Sequence, residues 1–187
     1  MLQYAYSSCM SQQLQFTALK DFTRTRHGGG ERAGQRKTAR PVATRRPMHL
    51  TLRASKATGA TSMLRPACCH HVSAIVAGFA DRNDVRILKF ANVGNHLHLV
   101  VQAKTRRGFQ NYLRTIAGLI ARVATGAVKG RASGKFWDEL AFSRVIAWGR
   151  DLKRTLAYVL GNAMEGLGVP TKRRAAETFN ARVYGYP

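Results

Sequence analysis

Segments of period two and period 3.6 follow one another along this 187-residue chain in the order β-α-β-β-α-β-α. That order predicts an α+β fold, a ferredoxin-like antiparallel sheet with helices on one face, plus a further C-terminal helix. An apolar content of 45% is enough for one core, and the length suits one domain with tails. The third observation is compositional: the patterned stretch, 47–168, is flanked by basic segments at 1–46 and 169–187.

The pattern starts after Pro47. Residues 48–53 (MHLTLR) alternate and read as a strand. Residues 61–80 carry Met63, Leu64, Val72, Ile75, Val76 and Phe79 at helical spacing. Pro66 marks where that helix can begin, and Gly78 marks its expected end. Residues 85–90 form a second strand, and Gly94-Asn95 turns the chain into a third over 95–102. Residues 107–128 set Phe109, Tyr112, Leu113, Ile116, Leu119, Ile120 and Val123 along one stripe of a helix. A loop of glycine and basic residues (129–135) follows, then strand material at 142–146. Residues 150–164 form the last helix, whose pattern breaks at Gly166 and Gly168.

The charge is the strongest bulk signal. A formal net charge of +22 points to a polyanionic partner, nucleic acid first and an anionic membrane surface second. No run approaches the roughly 18 apolar residues of a spanning helix, so none is expected. The first fifteen residues lack the basic start and apolar run of a secretory signal. Residues 24–46 hold seven arginines and one lysine against one glutamate, with four glycines. Such a stretch buries too little surface to offset its ordering entropy, which predicts a disordered basic arm suited to phosphates. Cys9, Cys68 and Cys69 are too few for a disulfide framework and predict reduced thiols in a cytoplasmic protein. Cys68-Cys69-His70-His71 are consecutive, and consecutive side chains in regular structure do not converge on one ion.

The chemistry centres on Asn95-His96-Leu97-His98-Leu99-Val100-Val101. In a strand, residues i and i+2 share a face. His96 and His98 then stand together, while Leu97, Leu99 and Val101 enter a core. Such a pair is either a packed histidine couple or a two-ligand metal platform in need of a third ligand. On the last helix Tyr158 and Asn162 lie four residues apart, one turn along a single face. Tyr158 offers a nucleophilic oxygen and Asn162 an amide carbonyl.

Gly94-Asn95-His96-Leu97-His98-Leu99-Val100-Val101, a helix, and then Leu156-Ala157-Tyr158-Val159-Leu160-Gly161-Asn162 resemble the single-tyrosine transposases of the HUH nuclease superfamily. The likeness is to the REP-associated tyrosine transposases, of the insertion-sequence-200 type. It covers residues 47–168, includes the opening strand, and extends to the lead-in at Arg26-His27-Gly28-Gly29. The resemblance implies that His96, His98 and Asn162 bind a divalent metal, Mg²⁺ or Mn²⁺. It implies that Tyr158 attacks a scissile phosphate of single-stranded DNA, leaving a 5′-phosphotyrosine and a free 3′-hydroxyl. It also implies a homodimer, in which relatives can place the tyrosine helix in trans. The chain departs from the family at 138–144 (DELAFSR), where relatives carry an arginine, a tyrosine and a histidine together. It departs again at Ala163, where many relatives have proline.

For DNA contact the sequence offers Arg106, Arg107, Arg114, Arg122, Lys129, Arg131 and Lys135, which either track a phosphate backbone or form a solvated face. Trp137 and Trp148 could stack bases, though core packing is the favoured reading of both. Two other functions fit less: a catalytically silent or domesticated nucleic-acid-binding protein, and a zinc hydrolase built on His96 and His98. The excess positive charge and the absence of an adjacent carboxylate ligand disfavour the hydrolase.

Overall fold

The computed structural model describes residues 25–30, 38–128, 130–131 and 134–169. The strands are β1 (Arg26–His27), β2 (Met48–Arg53), β3 (Val85–Asn92), β4 (His96–Ala103) and β5 (Phe142–Val145). The helices are α1 (Pro66–Asp81), α2 (Arg106–Thr125) and α3 (Arg150–Gly166), with a short 3₁₀ turn at Gly59–Thr61. The sheet runs β1-β5-β2-β4-β3, and each neighbouring pair is antiparallel. Without β1 this is the ferredoxin-like order expected from the sequence.

Helix α1 starts at Pro66, which needs no N–H at that position. It runs three residues past Gly78, where a Cβ would meet only open space. Glycine inside a helix costs about 1 kcal/mol relative to alanine, which is too little to end a helix that is otherwise packed. Thr105 caps α2 by accepting from the Gly108 N–H at 3.0 Å, and Gly126 ends it at φ 69°.

The expected disordered arm is corrected in part. Arg26 and His27 pair with Arg144 and Ser143 of β5. Arg40 Nη1 donates to Ser143 Oγ at 2.6 Å, and Val42 and Ala43 pack against the core. An edge strand is held by backbone hydrogen bonds, which composition does not report. Residues 1–24 and 31–37 of the expected arm, and 170–187 of the expected basic tail, lie outside the described residues.

Two cores flank the sheet. The larger lies under α1 and α2 and takes Met48, Leu50 and Leu52 of β2 with Leu97, Leu99 and Val101 of β4. Tyr112 is buried there, its hydroxyl donating to the Val76 carbonyl at 3.1 Å. The smaller lies under α3 and has Ala91, Val100, Ile146 and Val159 at its centre. A register shift between Ile87 and Lys89 flips the parity of β3. Ile87 and Phe90 therefore serve the larger core, and Leu88 and Ala91 the smaller.

Candidate active site

The site occupies the α3 face of the sheet. On β2 the residues alternating with the apolar set are His49, Thr51 and Arg53; on β4 they are His96, His98 and Val100. The register places Thr51 opposite His98 and Arg53 opposite His96, with His49 on the diagonal to His98. The His49 and His98 rings stack at 5.3 Å between centroids and 19° between planes. His49 Nε2 lies 3.2 Å from His98 Nδ1, and Thr51 Oγ1 is also 3.2 Å from that nitrogen. The His96 ring stands perpendicular to His98 at 4.8 Å, with its Nδ1 2.6 Å from Asn95 Oδ1.

Helix α3 brings Tyr158 over this cluster, its ring edge-on at 5.3 Å from His98 and 5.9 Å from His49. One turn later, Asn162 Nδ2 donates to the Tyr158 carbonyl at 2.9 Å. The helix is fixed at both ends. At its start Arg144 of β5, nearly buried, donates to Asp151 Oδ2 at 2.9 Å and Oδ1 at 3.0 Å, and to Thr155 Oγ1 at 3.0 Å. The Ala147 N–H adds a further bond to Asp151. At its other end a Cβ on Gly166 would press on the Asn92 carbonyl, so glycine permits the close approach to β3.

His49, Thr51, His96, His98, Tyr158 and Asn162 all line one cleft of about 470 Å³. The sequence-predicted ligands and nucleophile are thus brought together within a single chain. Gly29 and Gly30 form part of the rim. A side chain at Gly28 (φ 76°) would collide with the Ala141 carbonyl, which explains glycine where β1 crosses that segment. Asp138 closes another side, accepting from the Ser55 N–H at 3.0 Å and Ser55 Oγ at 2.6 Å, with Arg53 Nε at 3.7 Å.

Burial sets the protonation. It pushes His49 down to about 3, reinforced by the Arg144 guanidinium and opposed by Asp151. His96 is lowered by burial, and His98 is lowered further by burial and by its two histidine neighbours. The Asn162 side chain acts in the opposite direction on both. All three imidazoles are neutral at pH 7, each with one N–H and one lone pair. A proton on His96 Nδ1 satisfies Asn95 Oδ1; one on His98 Nδ1 can be given to His49 Nε2 or Thr51 Oγ1. Both Nε2 atoms then carry lone pairs. His98 Nε2 is buried with no partner at hydrogen-bonding geometry. Two neutral imidazole nitrogens and an amide oxygen fit a divalent cation. Among the described residues no cluster of three or more His, Cys, Asp or Glu side chains could hold a metal ion.

His49 was not singled out in the sequence. The available signal was its own alternation: His49-x-Thr51 on β2 repeats the polar spacing of His96-x-His98, and antiparallel pairing stacks the two. The predicted DNA contacts fare differently. Arg106, Arg107, Arg114 and Arg122 are exposed on α2, across the sheet from the cleft, and Arg131 and Lys135 are exposed in the loop beyond. None of them lines the cleft; Arg106 instead donates to the Arg40 carbonyl at 2.8 Å. Lys129 lies outside the described residues. Trp137 packs on the larger core and donates Nε1 to the Ala117 carbonyl at 2.9 Å. Trp148 is exposed, against the expectation of core packing. Of the Cys-Cys-His-His run, Cys68 is buried while His70 and His71 are exposed on α1. Among the described residues no helix is long and apolar enough to cross a membrane.

Comparison with known proteins adds to this geometry. A solved structure described as a REP-associated tyrosine transposase bound to a REP hairpin superposes with a TM-score of 0.52. The match is 14% identical and covers 82% of this chain and 89% of that one. In fold, the chain is similar to a tyrosine transposase. A putative transposase from Deinococcus radiodurans R1 also matches, at a TM-score of 0.42 and 13% identity, over 68% of this chain and 98% of that one. No family model and no curated protein matches the sequence.

Proposed function

We propose that this protein is a metal-dependent DNA transposase that nicks and joins single-stranded DNA through a 5′-phosphotyrosine on Tyr158. The carrying observation is the convergence of Tyr158, His96, His98 and Asn162 on one cleft of a single chain. The hairpin-bound neighbour of similar fold supports the choice of DNA, as does the net charge of +22.

His96, His98 and Asn162 would hold the cation, Mg²⁺ or Mn²⁺. When bound, that ion supplies Lewis-acid polarisation of the scissile phosphate. Tyr158 Oη forms a bond to phosphorus as the bond to the 3′ oxygen breaks. The phenol proton is lost and the departing oxygen gains one, giving a free 3′-hydroxyl. A second 3′-hydroxyl attacking the phosphotyrosine reverses the step, and the ester conserves the bond so no nucleotide is consumed. His49 and Thr51 hold the His98 ring and its tautomer; Arg144 and Asp151 hold the helix that carries the tyrosine. A homodimer, implied by the resemblance, is not needed to complete this site.

The test is incubation with Mn²⁺ and a labelled DNA hairpin bearing single-stranded flanks. A covalent protein–DNA adduct is expected, absent in Tyr158→Phe and in EDTA. Salt-sensitive binding with no adduct across many flanking sequences would replace this reading with that of a catalytically silent DNA-binding protein.

A further inference from the structure

We propose that Trp148, with the cationic side chains around it, forms a stacking platform for single-stranded DNA at the start of α3, outside the cleft. The inference rests on DNA as the partner and not on chemistry at Tyr158. Trp148 is 54% exposed, whereas Trp137 is packed against the core. Its Nε1 donates to the Arg45 carbonyl at 3.1 Å, so the polar edge is satisfied by protein while apolar ring surface meets water. The tether also pins the indole, lowering the ordering cost of a ligand that stacks on it.

The surroundings are cationic. Arg45 and Arg46 are exposed on the segment that holds the indole, and Arg150, Lys153 and Arg154 are exposed on the first turns of α3. The one carboxylate in 144–154, Asp151, is engaged by Arg144 and the Ala147 N–H. An immobilised aromatic face among arginines is what a base and its flanking phosphates recognise without regard to sequence. Tyr158 lies eight helical steps beyond Arg150, roughly 12 Å at 1.5 Å per residue. One strand can therefore touch the platform and the cleft together.

The test uses full-length Tyr158→Phe protein in EDTA, titrated with a short oligothymidylate while tryptophan emission is followed. Saturable quenching is expected, retained in Trp137→Phe and lost in Trp148→Ala. Because Trp148 is exposed, its replacement spares the fold, which an unchanged Tm verifies. The Kd read by anisotropy should rise about tenfold in Trp148→Ala, the lower part of the range for one stacked base. An unchanged Kd, or quenching that survives in Trp148→Ala, would overturn the proposal. Equal quenching by blunt duplex would do the same, by showing a purely electrostatic surface. Emission that shifts with protein concentration alone would assign the patch to a second copy of the chain instead. Quenching without any adduct in the Mn²⁺ assay would sink the transposase reading and leave this one standing; an adduct without quenching would do the reverse.

Discussion

The two faces of the central sheet are fed by the same strands and have opposite characters. On β4, Leu97, Leu99 and Val101 enter the larger core, while His96, His98 and Val100 look toward α3. On β2, Met48, Leu50 and Leu52 oppose His49, Thr51 and Arg53 in the same way. The α1–α2 face is almost wholly apolar and carries the weight of folding. The α3 face has a smaller core of four buried residues and adds polar contacts, Arg144 with Asp151 and Thr155 at the start of α3 and His49 with His98 between the strands. On the proposed function, stability and chemistry are divided by side-chain parity. Substitutions one residue apart should fail in different ways.

The largest contrast is between Tyr158 and Leu99. Tyr158→Phe removes one oxygen from the α3 face and should abolish adduct formation, with Tm nearly unchanged. Leu99→Ala on the opposite face should cost about 3 kcal/mol in denaturant unfolding. Its adduct yield per folded molecule should stay near wild type. If Leu99→Ala lost chemistry at full occupancy of the folded state, the division between the faces would be wrong.

The same division governs how much could be read from sequence. Periodicity reports a buried stripe, so the larger core and its helices were legible down to Phe109, Tyr112, Ile116 and Ile120. Spacing put His96 and His98 on one strand face and Tyr158 and Asn162 on one helix face, while their roles as ligands and nucleophile are what the family resemblance implies. His49 was not, since a lone histidine in an alternating strand gains meaning only through the register with β4. β1 was hidden for a related reason: its pairing with β5 is a backbone interaction between segments over a hundred residues apart. The arginines of α2 showed the converse problem, for composition gave their charge but not the face on which the helix would display it.

The next effect in size concerns His49. His49→Leu keeps the volume of the α3 face but removes the ring that meets His98 Nδ1. Loss of such an orienting partner typically lowers metal affinity about 10- to 100-fold. Mn²⁺ titration of adduct formation should shift by that factor and recover at high metal. A loss that excess Mn²⁺ does not repair would place His49 in direct contact with the substrate. Asp151→Ala should come next, costing about 2 kcal/mol by leaving the Arg144 guanidinium short of its partner.

The smallest effects distinguish the faces by pH. Burial alone would raise the Asp151 carboxyl, but the bonds from Arg144 and the Ala147 N–H outweigh it and hold the group below its ordinary value. Its contribution is present above the unfolded value of about 4 and fades as pH falls through the lowered folded value. Tyr112 is the counterpart on the other face, where burial raises its phenol above the ordinary value. That contribution is present below about pH 10 and is lost as pH rises beyond it. Acid should therefore release α3 first, seen as amide exchange in Arg150–Gly166 that outruns α2. Alkali should loosen the packing of α2 on α1. Asp151→Asn should flatten only the acid limb of a Tm–pH curve and Tyr112→Phe only the alkaline one. Parallel curves for wild type and Asp151→Asn below about pH 4 would show that α3 is held by Leu152, Leu156 and Val159 rather than by its ion pair, making the α3 face as hydrophobic in its energetics as the face it opposes.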